Sequence, residues 1–103
     1  MTSTNYELIR GAITAKHQVV GIYKGLRREM IPHALGHTDG HERALVLQIG
    51  GKSSKGLPDG GAWRCMDVSL LQELEVVAAD WFSRDGHSRP QTCVQFVDVE
   101  VGP

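Results

Sequence analysis

The sequence predicts a mainly β domain with one N-terminal α-helix, folded as a small, strongly curved antiparallel barrel. Three observations predict it. Twelve glycines in 103 residues imply many tight turns. Apolar residues alternate along several short runs separated by Gly, Pro and Asp, the period of strands. Only one stretch, near the N-terminus, repeats its apolar residues at helical spacing. A chain this short has room for a single core, and curling the sheet hides its edges.

Thr4 with Glu7 three residues on reads as a capping box, in which hydroxyl and carboxylate each satisfy a free backbone N–H. Leu8, Ile9, Ala12 and Ile13 then share one face, so a helix is expected over about 5–16. His17 to Tyr23 is β-branched and aromatic, Lys24-Gly25 is a compact turn, and Leu26 to Leu35 runs back as a hairpin partner. Pro32 offers no ladder donor, so this second strand must reach an edge or a bulge there. Gly36 to His41 reads as a turn, Asp39-Gly40 being ordinary turn chemistry.

Leu45, Leu47 and Ile49 alternate with Ala44, Val46 and Gln48, which makes both faces largely apolar and predicts a strand covered on two sides. A glycine-rich loop follows from Gly50, then a strand over Trp63 to Val68. Ser69 to Gln72 repeats the capping-box spacing and predicts a single helical turn. Leu74 to Ala79 is a fifth strand, and Thr92 to Val101 a last alternating one. Barrel strands over about 17–79 and a C-terminal strand over about 92–101 make residues 1–103 one domain, with no internal repeat.

The charge is near balance, 11 basic against 12 acidic residues, so no global field recruits nucleic acid or an anionic membrane. Any anion site must be a local cluster. The first ten residues lack the basic-then-apolar pattern of a signal peptide, and no apolar run reaches membrane-spanning length. The expectation is a cytoplasmic protein without a membrane partner. Cys65 and Cys93 fall outside C-x-x-C spacing. A disulfide and a reduced pair packed in the core are both open, and the reduced pair is favoured, with Cys65 a buried structural thiol.

Gly51-Lys52-Ser53 imitates the end of a phosphate-binding P-loop, but that motif needs a glycine where Val46 stands, and a helix cannot continue through Gly56, Pro58, Gly60 and Gly61. The loop keeps anion-friendly content in Lys52, Lys55, Ser53 and Ser54. His33, His37 and His41 stand four apart, yet Pro32, Gly36 and Gly40 exclude the helix that would align them, so no metal site is expected. Ser, Cys and His occur without a nucleophile signature, and no enzyme and no cofactor are expected. Arg28 and Arg64 fall on strands, where their forks can be held in register for a phosphate or carboxylate, or paired with Glu29, Glu42 or Asp67. Tyr23 and Trp63 are stacking faces or core. Trp81-Phe82 is open between core, dimer contact and lid.

Taken together, the helix and "HQVVGIYKGLRREMIPHALG", then a strand, a loop and "WRCMDVSLL", resemble the WYL domain of bacterial transcription regulators and defence-associated proteins. Arg28, Pro32 and Arg64 match that pattern, over about 6–78. The order of parts is most similar to compact standalone members that lack a helix-turn-helix. The name-giving tripeptide is degenerate, Arg43-Ala44-Leu45 keeping only the leucine, and a second family arginine is replaced within Val68-Ser69-Leu70-Leu71. The resemblance implies an SH3-like or Sm-like β-barrel that senses a negatively charged ligand, a nucleotide or single-stranded nucleic acid, and signals to a partner. On this reading the ligand-binding residues are Arg28, His33, Gln48, Lys52, Ser53 and Arg64: the arginines clamp phosphate, Lys52 and Ser53 close over it, and His33 and Gln48 supply directional hydrogen bonds. The alternative is a protein-interaction barrel that forms a homodimer or docks on a regulator protein through a strand edge and Trp81-Phe82.

Overall fold

A computed structural model describes residues 3–51, 61–79, 81 and 93–101. Helix α1 spans Thr4–Ala15, followed by strands β1 (Gln18–Tyr23), β2 (Leu26–Thr38), β3 (His41–Gly51) and β4 (Ala62–Asp67). A 3-10 turn over Val68–Leu70 leads into β5 (Leu71–Val77), and β6 (Phe96–Glu100) is the last strand. The sheet is antiparallel throughout, in the order β4-β3-β2-β1-β5, with β6 paired to β2.

The sheet is not closed into the expected barrel. Its two ends, β4 and β5, are joined through the 3-10 turn, but no ladder links them among the described residues. The turn leaves the sheet at Asp67, whose carboxylate accepts from the Ser69 N–H at 3.1 Å and the Ser69 hydroxyl at 2.7 Å. Those bonds, the hydroxyl's first, hold the Asp67 carboxyl below its ordinary range. The cap is therefore Asp67 rather than Ser69, and β5 begins at Leu71, three residues before the strand expected from sequence.

The helix cap also lies one residue earlier than the spacing suggested. Ser3 Oγ accepts from the Tyr6 N–H at 3.2 Å, and Thr4 is already helical. Ser3 reaches further, donating from Oγ and its backbone N–H to the two Glu42 carboxylate oxygens at 2.5 and 2.9 Å, which ties the helix start to β3. At the other end Lys16 takes a left-handed φ of 57° and donates to the Ala12 and Ile13 carbonyls, closing the helix. Tyr6, Ile9, Ala12 and Ile13 are buried against Val19, Met30, Leu35, Val46 and Met66 from the sheet.

Two hairpin turns obey the expected chemistry. Lys24-Gly25 and Asp39-Gly40 each place both residues at positive φ, 52° and 78°, then 51° and 79°, the twist that suits antiparallel strands. The second turn is only those two residues. Gly36, His37 and Thr38 belong to β2, because β6 packs so close over Gly36 that only a residue without a Cβ fits beneath Phe96 and Val94.

Pro32 marks a junction. Along one edge of β2, β1 pairs with Leu26 to Met30 and β6 with Ala34 to His37, and Pro32 falls in the gap between them. On the other edge the ladder to β3 shifts register between Pro32 and Ala34. The missing N–H costs nothing there, as the proline required. This bulge lets β2 bury both faces: Met30 and Leu35 join the helix-covered core, while Ile31 and Leu47 are fully buried outside it.

The cysteines are bridged, contrary to the reduced pair expected. Cys65 on β4 and Cys93 ahead of β6 form a disulfide with Cα atoms 5.5 Å apart, and Cys65 is exposed rather than buried. Neither residue sits in a C-x-x-C, so only the folding of β6 back across β2 brings them together. Thr38 completes the attachment, its hydroxyl donating to the Cys93 carbonyl at 2.7 Å and accepting from the Gln95 N–H at 3.0 Å. No helix among the described residues is long and apolar enough to cross a membrane.

Candidate functional site

Arg28 occupies an unusual rung of the sheet. Its neighbours across the ladder are Gly21 on β1 and Gly51 on β3, so no flanking side chain competes for the space beside it. The side chain is 8 % exposed. Nη1 donates to Gln48 Oε1 at 3.2 Å, Nη2 donates to the Tyr23 carbonyl at 3.3 Å, and the guanidinium carbon lies 5.6 Å from the Tyr23 ring centre. The Tyr23 hydroxyl accepts from the Asp67 N–H at 3.0 Å, which fixes that ring. Among the described residues Arg28 Nε meets no acceptor and no carboxylate pairs with the guanidinium. Glu29, a partner the sequence offered, lies 3.4 Å from Arg27 instead.

Gln48 is fully buried and completes the arrangement. Its amide oxygen faces Arg28 and its nitrogen donates to the Gly50 carbonyl at 3.2 Å, at the root of the glycine-rich loop. A buried amide held at both ends fixes one orientation of the guanidinium.

Register decides where the other expected residues fall. Arg64 pairs with Val46 two positions along β4 from the Ala62–Gln48 pair, so Arg64, Gln48 and Arg28 lie on the same face of the sheet, across three adjacent strands. Strand spacing puts the two arginine Cα atoms roughly 16 Å apart on either side of Gln48. Lys52 and Ser53 lie outside the described residues.

His33 does not join this group. Its ring is buried at 4.7 Å from the Trp63 ring, edge to face, and 5.0 Å from Trp81, with Nδ1–H donating to the Ile31 carbonyl at 2.9 Å. Trp63 shares a rung with Leu47 and Ile31, on the opposite face from Gln48. Alternation along β2 explains the separation: Arg28, Met30 and Pro32 share one face, and His33 falls with Ile31 on the other. Trp81 packs against the core, with Lys16 Nζ 5.6 Å from its ring centre; Phe82 lies outside the described residues.

Two further clusters carried no sequence signal because they join distant segments. Asp98 on β6 accepts from the Tyr6 hydroxyl at 2.7 Å and from Arg10 Nη2 at 2.5 Å. The Tyr6 bond is the main reason that the Asp98 carboxyl is held low, while burial and then Asp98 push the Tyr6 hydroxyl up. His37 and His41 line an open polar groove of about 420 Å³ with Ser3, Glu42 and Asp67. Among the described residues no group of three or more His, Cys, Asp or Glu is placed to hold a metal ion.

Comparison with protein-family models, curated proteins and solved structures finds no match to this chain.

Proposed function

We propose that this chain is a noncatalytic ligand-sensing module that binds a negatively charged ligand, a nucleotide or a short single strand of nucleic acid, at Arg28. The observation that carries the reading is a buried guanidinium without a carboxylate partner among the described residues. Such a charge is costly unless neutralised, and an arriving anion supplies the neutralisation. Tyr23 and Gln48 hold the fork in place beforehand, so little ordering is left for the binding step. The rung partner of Arg28 is Gly51, which precedes Lys52 and Ser53 in the sequence. The distance between Arg28 and Arg64 favours a ligand of nucleotide length, whose two ends meet different arginines, over a single phosphate clamped by both.

The sheet order, with β4 and β5 at its ends and a 3-10 turn between them, is compatible with a relation to SH3-like or Sm-like barrels, although the sheet itself is not closed. That order supports the WYL-like reading and with it a sensory role. The Cys65–Cys93 bridge weighs towards an oxidising compartment and against the cytoplasm.

The test is titration with nucleotides and short oligonucleotides at two salt concentrations, on the wild type, Arg28→Gln and Arg64→Gln. The expected result is saturable binding that weakens with salt and falls at least about tenfold in Arg28→Gln. Absence of binding at low salt, or binding indifferent to Arg28, overturns the proposal.

A further inference from the structure

The outer face of β1 and β5 carries a second feature, turned away from Arg28. Val20 and Ile22 alternate with the core residue Val19 and so point outward, where they line an open groove of about 490 Å³; Leu74 also borders it, with its side chain packed against the core. Its rim is charged. Glu75 shares a rung with Val20, while Glu73 and Arg27 complete the lining. Arg27 is engaged by Glu29 at 3.4 Å. Glu73 and Glu75 are exposed and form no ion pair with any described residue, so the net charge at the rim is negative.

The backbone is shaped to make this groove. The ladder between β1 and β5 shifts register between Val20 and Ile22, and the extra β5 residue sits where Glu73 takes a left-handed φ of 51°. Left-handed backbone at a glutamate is strained, and bulges of this kind re-aim side chains. Opposite the bulge stands Gly21, where a Cβ would lie 3.0 Å from Leu74 Cδ1 and 3.3 Å from the Gln72 carbonyl oxygen. Gly21 faces the core with Val19, so a larger residue there would press Leu74 from the core side. Beyond the rim, the outer edge of β5 has no ladder partner among the described residues, and Val76 and Val77 are exposed along it.

We propose that this face docks an extended basic segment of a partner protein, one that adds a strand to the β5 edge with lysine or arginine beside Glu73 and Glu75 and β-branched residues beside Val76 and Leu74. Main-chain hydrogen bonds along the free edge supply affinity, and the alternation of unpaired carboxylates with apolar side chains supplies the register. Charge complementarity selects a basic partner over a second copy of this chain, whose own β5 would bring the same two glutamates against these.

Fluorescence anisotropy with a short labelled peptide alternating lysine and valine tests the proposal. Controls are a peptide alternating glutamate and valine, the Glu73→Gln/Glu75→Gln double variant, and Arg28→Gln. The lysine peptide should bind saturably at low ionic strength, about tenfold more weakly to the double variant and more weakly at physiological salt. Binding should be unchanged in Arg28→Gln, which separates this site from the anion site. Both glutamates are exposed, so the double variant should fold; Val76→Asp, at an exposed position on the same edge, should weaken the β-branched contacts independently. Equal binding of the glutamate peptide, no binding at low salt, less than a twofold loss in the double variant, or self-association that blocks the groove would each overturn the proposal.

Discussion

Replacing Gly36 by alanine probes the tightest approach at any described glycine. A Cβ at that position would overlap the Phe96 carbonyl oxygen and stand 2.9 Å from the Phe96 carbonyl carbon and 2.7 Å from Val94 Cγ1. A rotamer change cannot relieve a clash with backbone, so β6 must retreat by on the order of 1 Å or more. The retreat breaks the Gly36–Val97 and His37–Phe96 pairings, at about 1 kcal/mol each, and partly uncovers Val94, which is now 2 % exposed. Together these predict a loss of about 3 kcal/mol, roughly 15 °C in melting temperature for a domain this size. Urea unfolding followed by tryptophan fluorescence measures the loss, and amide exchange at Val97 and Val99 locates it. A loss below about 1 kcal/mol with those amides still protected would refute the packing argument.

Other expectations concern the helix, the bridge and acid stability. Gly11 is exposed in α1 with nothing within 4 Å of an added Cβ, so Gly11→Ala should stabilise by about 1 kcal/mol in the same urea assay. Cys65→Ser removes a bridge spanning 28 residues of sequence and should cost about 3 to 4 kcal/mol, with β6 exchanging first. Asp98 and Asp67 have lowered carboxyl pKa values, so their contribution is present above the ordinary aspartate pKa of about 3.9 and is lost as pH falls through the folded values. Melting temperature should therefore drop more steeply below pH 4 in the wild type than in Asp98→Asn.

The parts of the fold that rest on neighbouring residues were legible in the sequence, and those that rest on long-range pairing were not. Lys24-Gly25 announced its turn because a two-residue loop with glycine at positive φ is a local demand. Pro32 announced an irregularity for the same kind of reason, the absence of its own N–H. The mixed burial of β3 followed from apolar residues on both sides of its alternation. By contrast, Ser3 and Asp67 replaced the expected caps because their positions also depend on Glu42 and Tyr23, far away in sequence. The Cys65–Cys93 bridge depends on β6 folding back over Gly36, which no spacing near either cysteine encodes.

Among the candidate site residues the same division holds. Arg28, Gln48 and Arg64 share a face because pairing across β2, β3 and β4 puts them there. His33 was expected beside them, but alternation along β2 puts its ring on the face of Ile31 and Trp63. The glycines opposite Arg28 gave the missing signal. A charged residue flanked by Gly21 and Gly51 on both rungs has room to lie inward, but only the register reveals that those glycines are its neighbours.

The arginine side-chain Nε–H resonance of Arg28 in a nitrogen–proton correlation spectrum, followed during nucleotide titration, tests most directly whether this buried cation is a receptor for anions. Bound ligand should shift that resonance saturably and slow its exchange with water, while the Arg10 resonance, held by Asp98, stays in place. A resonance for Arg28 that remains unmoved when every other sign of nucleotide binding has saturated would contradict the account.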